Sequence, residues 1–128
     1  MSLITRMRKQ NAIYWPPATA DDYGRVAVGT LVELTLTGGV NSRVRWEDQA
    51  KEFIDSNGIT RVSQAVVYVP ALPGGGGEVA VGGFLWLGDR GDLESETDPG
   101  ANEGAWEVRR FDKLPNLKNT EYLRTAYL

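Results

Sequence analysis

Histidine and cysteine are both absent from this chain of 128 residues. Without an imidazole there is no base for a serine or cysteine triad, and most catalytic zinc designs are excluded. Without a thiol there is no disulfide staple, no thiolate metal site and no sulfur nucleophile, and the redox compartment is left open. No apolar run approaches the ~20 residues that cross a bilayer, so no membrane partner is expected. The opening residues, Met1-Ser2-Leu3-Ile4-Thr5-Arg6, lack the apolar stretch of a secretion signal, which points to the mature end of a cytosolic product. The usual chemistry is missing, so assembly is a better expectation than catalysis.

What the chain does have is glycine, 15 residues of it, and short apolar bursts punctuated by turn formers. Its length suits one domain that buries roughly two-thirds of its unfolded surface. Val32, Leu34 and Leu36 alternate with Glu33, Thr35 and Thr37, the pattern of a half-buried strand. Gly38-Gly39 offers a two-residue hairpin connection. The returning strand turns Val44 and Trp46 inward and Arg43, Arg45 and Glu47 outward, and Phe53 continues the core. Asp55-Ser56-Asn57-Gly58 is a turn, because Asn-Gly enters the left-handed region cheaply. Residues 60–69 read as the longest strand, with Ala65-Val66-Val67-Tyr68-Val69 covered on both faces. Residues 78–81 and Phe84-Leu85-Trp86-Leu87 read as further strands, as do Trp106, Val108 and Arg110 in alternation, with a break at Leu114-Pro115-Asn116. Residues 121–128 fit a last strand or a short helix, and Tyr127 and Leu128 argue that this end is docked.

The first 24 residues read as an extended N-terminal arm, since Tyr14-Trp15-Pro16-Pro17 cannot lie inside a helix. The two aromatics must bury against their own domain or against a neighbouring subunit. The fold class expected is all-β: residues 25–128 as a single small antiparallel β-barrel of six or seven strands with long loops.

Two loops attract attention. Residues 70–78 contain Gly74, Gly75, Gly76 and Gly77 before Glu78, but no Gly-Lys-Ser/Thr leads into a helix, so this is a flexible tip and not a phosphate cradle. Residues 89–104 exceed a passive connection and carry Asp89, Asp92, Glu94, Glu96 and Asp98. Alternate carboxylates on an extended loop could attract calcium, yet the EF-hand register is not met, and a solvated acidic loop is the simpler reading. No catalytic residue, metal or cofactor is assigned. Arg90-Gly91-Asp92 spells an adhesion tripeptide, and three-residue matches carry no weight.

The net charge of −3 is segregated. Arg6, Arg8 and Lys9 make the first ten residues basic; residues 88–107 set seven carboxylates against Arg90; residues 108–128 are basic again through Arg109, Arg110, Lys113, Lys118 and Arg124. An ordinary solvated surface explains such runs, and so do complementary faces on copies of one molecule. An acidic chain whose basic clusters lie toward its two ends is not expected to bind duplex tightly. Its surface would let DNA pass close by without sticking.

Five segments together resemble the head-closure (head-completion, or stopper) proteins of tailed bacteriophages. They are Gln10-Asn11-Ala12-Ile13-Tyr14-Trp15-Pro16-Pro17, Val44-Arg45-Trp46-Glu47-Asp48, Glu52-Phe53-Ile54-Asp55-Ser56-Asn57-Gly58, residues 79–87, and residues 109–117. The resemblance implies a small decorated β-barrel assembled as a ring, a dodecamer in the virion, around the DNA channel. Its partners would be copies of itself, the portal or adaptor protein, and the tail terminator or another tail protein. It would assemble in the host cytoplasm, close the head after packaging and offer a docking surface for the tail. An adaptor or tail-proximal joining protein is the near alternative. A monomeric barrel that grips a peptide or glycan with Tyr14 and Trp15 is the distant one, and a carboxylate hydrolase the third. The channel-facing candidates are Gly74, Gly75, Gly76, Gly77 and Glu78, or Asp89, Asp92, Glu94, Glu96 and Asp98. Arg6, Arg8, Lys9, Tyr14, Trp15, Arg109, Arg110, Tyr127 and Leu128 are the candidate contacts with neighbours or partners, and Arg109, Arg110 or the 6–9 cluster is expected to meet residues 89–98 of the next copy.

Overall fold

A computed structural model describes residues 8–18, 27–37, 40–55, 57–73, 77–115 and 122–128. The chain is mostly β, with antiparallel sheets and no helix of seven residues or more among the described residues. Its strands are shorter and more numerous than the six or seven expected. They are β1 (Ala12–Trp15), β2 (Pro17–Ala18), β3 (Ala27–Val28), β4 (Val32–Leu34), β5 (Leu36–Thr37), β6 (Val40–Asn41), β7 (Arg45–Glu47), β8 (Glu52–Ile54), β9 (Thr60–Val62), β10 (Val66–Val69), β11 (Phe84–Leu87), β12 (Trp106–Glu107), β13 (Arg110–Pro115) and β14 (Tyr122–Tyr127).

Two four-stranded sheets carry the core, in the orders β12-β11-β1-β4 and β13-β14-β10-β7. The pairs β2-β3, β5-β6 and β8-β9 are separate two-stranded ribbons. β1 lies between β11 and β4, and all four of its side chains have no exposed surface. Ala12 and Tyr14 join Leu34, Val44, Val67, Val69, Leu85, Val108, Ala126 and Leu128 in one cluster. By strand alternation Ile13 and Trp15 point to the opposite face, and they are buried there too.

Main-chain bonds tie the sheets together at two places. Gln10 and Val44 exchange bonds of 2.9 and 2.8 Å, so the residues before β1 reach the edge of β7. At the other side, Val108 bonds Gly82 and Gly83, and the next residue, Arg109, donates to the Tyr127 carbonyl at 2.8 Å. Tyr127 is already in register with Arg110. Two residues thus face one, as in a β-bulge, where the chain leaves β11 for β14.

Several sequence expectations are corrected. Within the expected extended arm, residues 12–15 are a central strand flanked by β11 and β4, and Pro16 and Pro17 mark the point where the chain leaves that sheet to pair with β3 instead. Leu36 is 52% exposed; a bend at Thr35, whose carbonyl accepts the Ser42 N–H, breaks the alternation that Leu34 obeys. The strand expected over residues 60–69 divides at Ser63, whose buried hydroxyl donates to the Gln49 carbonyl and accepts from the Lys51 N–H. Residues 78–81 form no strand, and Pro115 ends β13 without breaking it, since β13 is an edge strand where a missing donor is tolerated. The last segment is a strand, and Leu128 is fully buried. The Gly38-Gly39 connection lies outside the described residues, although Thr37 pairs with Val40 on either side of it.

Candidate docking surface

The acidic loop is an organised structure. Asn102, 4% exposed, accepts the N–H groups of Glu94 and Ser95 on Oδ1 and donates to the carbonyls of Ser95 and Asp98 through Nδ2. Two tryptophans on the sheet hold the loop from beneath: Trp15 donates to the Glu96 carbonyl and Trp86 to the Glu103 carbonyl, each at 2.9 Å. Asn11 donates to Asp89 at 2.7 Å. Arg90 pairs with Glu96 at 2.6 Å, which holds the Glu96 carboxyl below its usual range and raises Arg90. Asp98 caps a short 3-10 turn by accepting from Gly100. Short 3-10 turns at Arg90–Asp92 and Pro99–Ala101 interrupt the extended geometry, so alternate carboxylates do not line one side. No group of three acidic side chains placed to hold a cation occurs among the described residues. Asp92, Glu94, Glu96 and Asp98 stay exposed, as an acidic outer surface.

Gly74, Gly75 and Gly76 lie outside the described residues. Gly77 takes a positive φ of 88°, and its carbonyl accepts the Leu72 N–H. Glu78 is bound into its own fold. Arg124 reaches it at 2.6 and 3.2 Å and Lys113 at 3.1 Å. Burial pushes its carboxyl upward, and these two cations outweigh that and bring it below its ordinary value.

Among the contact candidates, Tyr14, Trp15 and Leu128 have no exposed surface, which removes them from any partner face and removes the aromatic pair from a role in gripping a peptide or glycan. Both aromatics are satisfied internally: the Tyr14 hydroxyl accepts from Ala80 N–H at 2.9 Å, and burial raises its pKa. Arg6 lies outside the described residues. Arg8 is buried, with its guanidinium donating to the Arg43 carbonyl, and Lys9 is exposed. Arg110 is committed to Asp112 at 3.0 Å and to the Ile54 carbonyl, and it stands over the half-buried Tyr127 ring. Tyr127 also stacks on Phe53 with centroids 5.3 Å apart.

The structure adds a surface that sequence reading passed over. The β8-β9 ribbon pairs Phe53 with Arg61 and Ile54 with Thr60. Phe53 turns inward, and Ile54 and Val62 are each 55% exposed. Between this ribbon and β13 runs an open groove of ≈ 380 Å³, lined by Ile54, Asp55, Val81, Arg110, Phe111 and Asp112. A recess of ≈ 180 Å³ that shares Asp55 and Val81 continues it past Arg61, Glu107 and Arg109. Asp55 forms an ion pair with Arg61 and accepts the Asn57 and Ile59 N–H groups, and the Arg61 bond above all lowers its pKa. The sequence signal was present: with Phe53 placed inward, alternation turns Ile54 to solvent.

The arrangement offers an apolar trough with charged rims along the open edge of a sheet. That is suited to holding an extended protein segment. Comparison with models of protein families, with curated proteins and with solved structures finds no match for this chain.

Proposed function

We propose that this chain is a structural protein of the tailed-phage neck. In this reading copies of it form a ring between the portal or adaptor and the tail, close the head after packaging, and present the surface on which the tail docks. It is not an enzyme, and the virion is its place of work. The links between the two sheets through Gln10–Val44 and through residues 106–115 support the small barrel that the resemblance implies.

The observation that carries the reading is the combination of an apolar edge groove with an acidic face. Ile54 and Val81, exposed beside β13, suit a protein partner. The loop of residues 89–104, held rigid by Asn102 and the two tryptophans, presents carboxylates that repel DNA and let it slide. This loop is the channel-facing element of choice, and residues 70–78 are the alternative. An adaptor role would use the same surfaces one layer nearer the portal.

The test is co-sedimentation of the purified protein with DNA-filled heads assembled without it. Saturable binding that stops DNA leakage and restores tail joining is expected. A protein that stays in the supernatant at all concentrations contradicts the proposal.

A further inference from the structure

Each sheet has two edge strands with one neighbour in the sheet, β13 and β7 in one and β12 and β4 in the other; β13 and β4 are the pair that carry exposed charge and apolar groups together. Unpaired edges are templates for pairing with another chain. They carry charges of opposite sign, neither of them in a direct hydrogen bond or ion pair among the described residues. Arg109, beside the start of β13, is the one described arginine whose guanidinium has no hydrogen bond or ion pair among the described residues. Glu107 lines the same recess without reaching ion-pair distance of it, and Asp55 there is already held by Arg61. On β4, Glu33 is exposed and makes no hydrogen bond or ion pair among the described residues; it lies within electrostatic reach of Arg90, which is engaged by Glu96. Three residues past Glu33, Leu36 stands exposed at 52%. The Arg109 recess shares its Val81 wall with the groove of Ile54, Val81 and Phe111, so a segment with an exposed carboxylate and an exposed apolar side chain suits the two together.

We propose that the occupant of this groove is the β4–β5 edge of a second copy, with Glu33 paired to Arg109 and Leu36 seated against Ile54 and Val81. This deepens the assembly reading and rests on it. The contact is head to tail, using different surfaces on the two copies, so it propagates into a ring or a filament and not a closed dimer. It also replaces the expectation that Arg110 meets the acidic loop of a neighbour, because Arg110 and Glu96 are both spent within the chain.

The test is sedimentation equilibrium of the full chain, wild type against Glu33→Arg, Arg109→Glu and the double variant, with thermal melts to check folding. Wild type is expected to self-associate with concentration. Each single reversal should weaken association by about tenfold or more, and the double variant should regain it, since opposite charges again face each other. Leu36→Asp should weaken it as strongly. Wild type that remains monomeric at the highest attainable concentration, or single and double variants that associate alike, overturns this contact. Head binding is a separate readout: heads that bind the protein while the contact fails leave the neck function standing, and the reverse result removes the function while keeping the contact.

Discussion

The indole N–H of Trp15 donates to the backbone carbonyl of Glu96 at 2.9 Å. A wholly buried residue of the central strand therefore fixes the middle of the acidic loop, 81 residues away in sequence. Trp15→Phe keeps the aromatic burial and removes only the donor. The Glu96 side of the loop is exposed, so water can replace the bond, and the cost should be about 0.5–1.5 kcal/mol. Urea denaturation measures that cost, and amide exchange at residues 94–98 should accelerate while β10 and β14 stay protected. Unchanged protection in the loop would show that Trp15 does not hold it.

Asn102 is the second anchor and the stronger one. Its side chain makes four hydrogen bonds to main-chain groups of residues 94–98. Asn102→Ala strands those groups and should cost about 1–3 kcal/mol. Limited proteolysis is expected to cut the variant within residues 89–104 at protease levels that leave wild type intact.

Gly83 packs its α-carbon against β1. A methyl group there would lie 2.7 Å from the Trp15 carbonyl and from the Tyr14 ring, both fully buried. Gly83→Ala should destabilise by about 1–3 kcal/mol through overpacking. Gly91, with nothing within 4 Å of the same added carbon, is the control; Gly91→Ala should shift stability by no more than about 0.5 kcal/mol. Thermal denaturation of both variants makes the comparison.

Acid sensitivity follows from Glu78, Asp55 and Glu96, whose folded-state pKa values all lie below the ordinary carboxylate values. The unfolded chain therefore binds more protons as pH falls through that range. The stabilisation is complete above the unfolded pKa values and is lost as pH drops through the folded ones. Melting temperature should decline on acidification below the ordinary carboxylate range, and Glu78→Gln should reduce the decline by removing one of the three groups. An acid limb of equal steepness in wild type and variant would mean that the Arg124–Glu78–Lys113 cluster contributes nothing to it.

Local pattern was legible in the sequence wherever local pattern decides the outcome. Val44 and Trp46 turn toward the core, and Arg45 turns away from it. The turn expected after Asp55 is present in its described residues, with Gly58 at a φ of 80° and its N–H on the Asp55 carbonyl. Leu128 is docked. What depends on tertiary apposition was not legible. Two prolines after Trp15 suggested an arm, because nothing local reveals that β11 and β4 flank residues 12–15. Asn102 carries no sequence signal, since its partners are main-chain groups brought near only by the folded loop. The groove needs Ile54 beside Phe111, 57 positions later in the chain, and no periodicity encodes that meeting.

The central claim, that this chain works as a neck component, is tested most directly by an electron-microscopy map of the particle neck with the chain traced and its symmetry counted. The account predicts a closed ring of this protein between portal or adaptor and tail, with residues 89–104 facing the channel and the groove beside β13 filled by a neighbour. A neck complete without this chain, at a resolution that traces every other component, would contradict it.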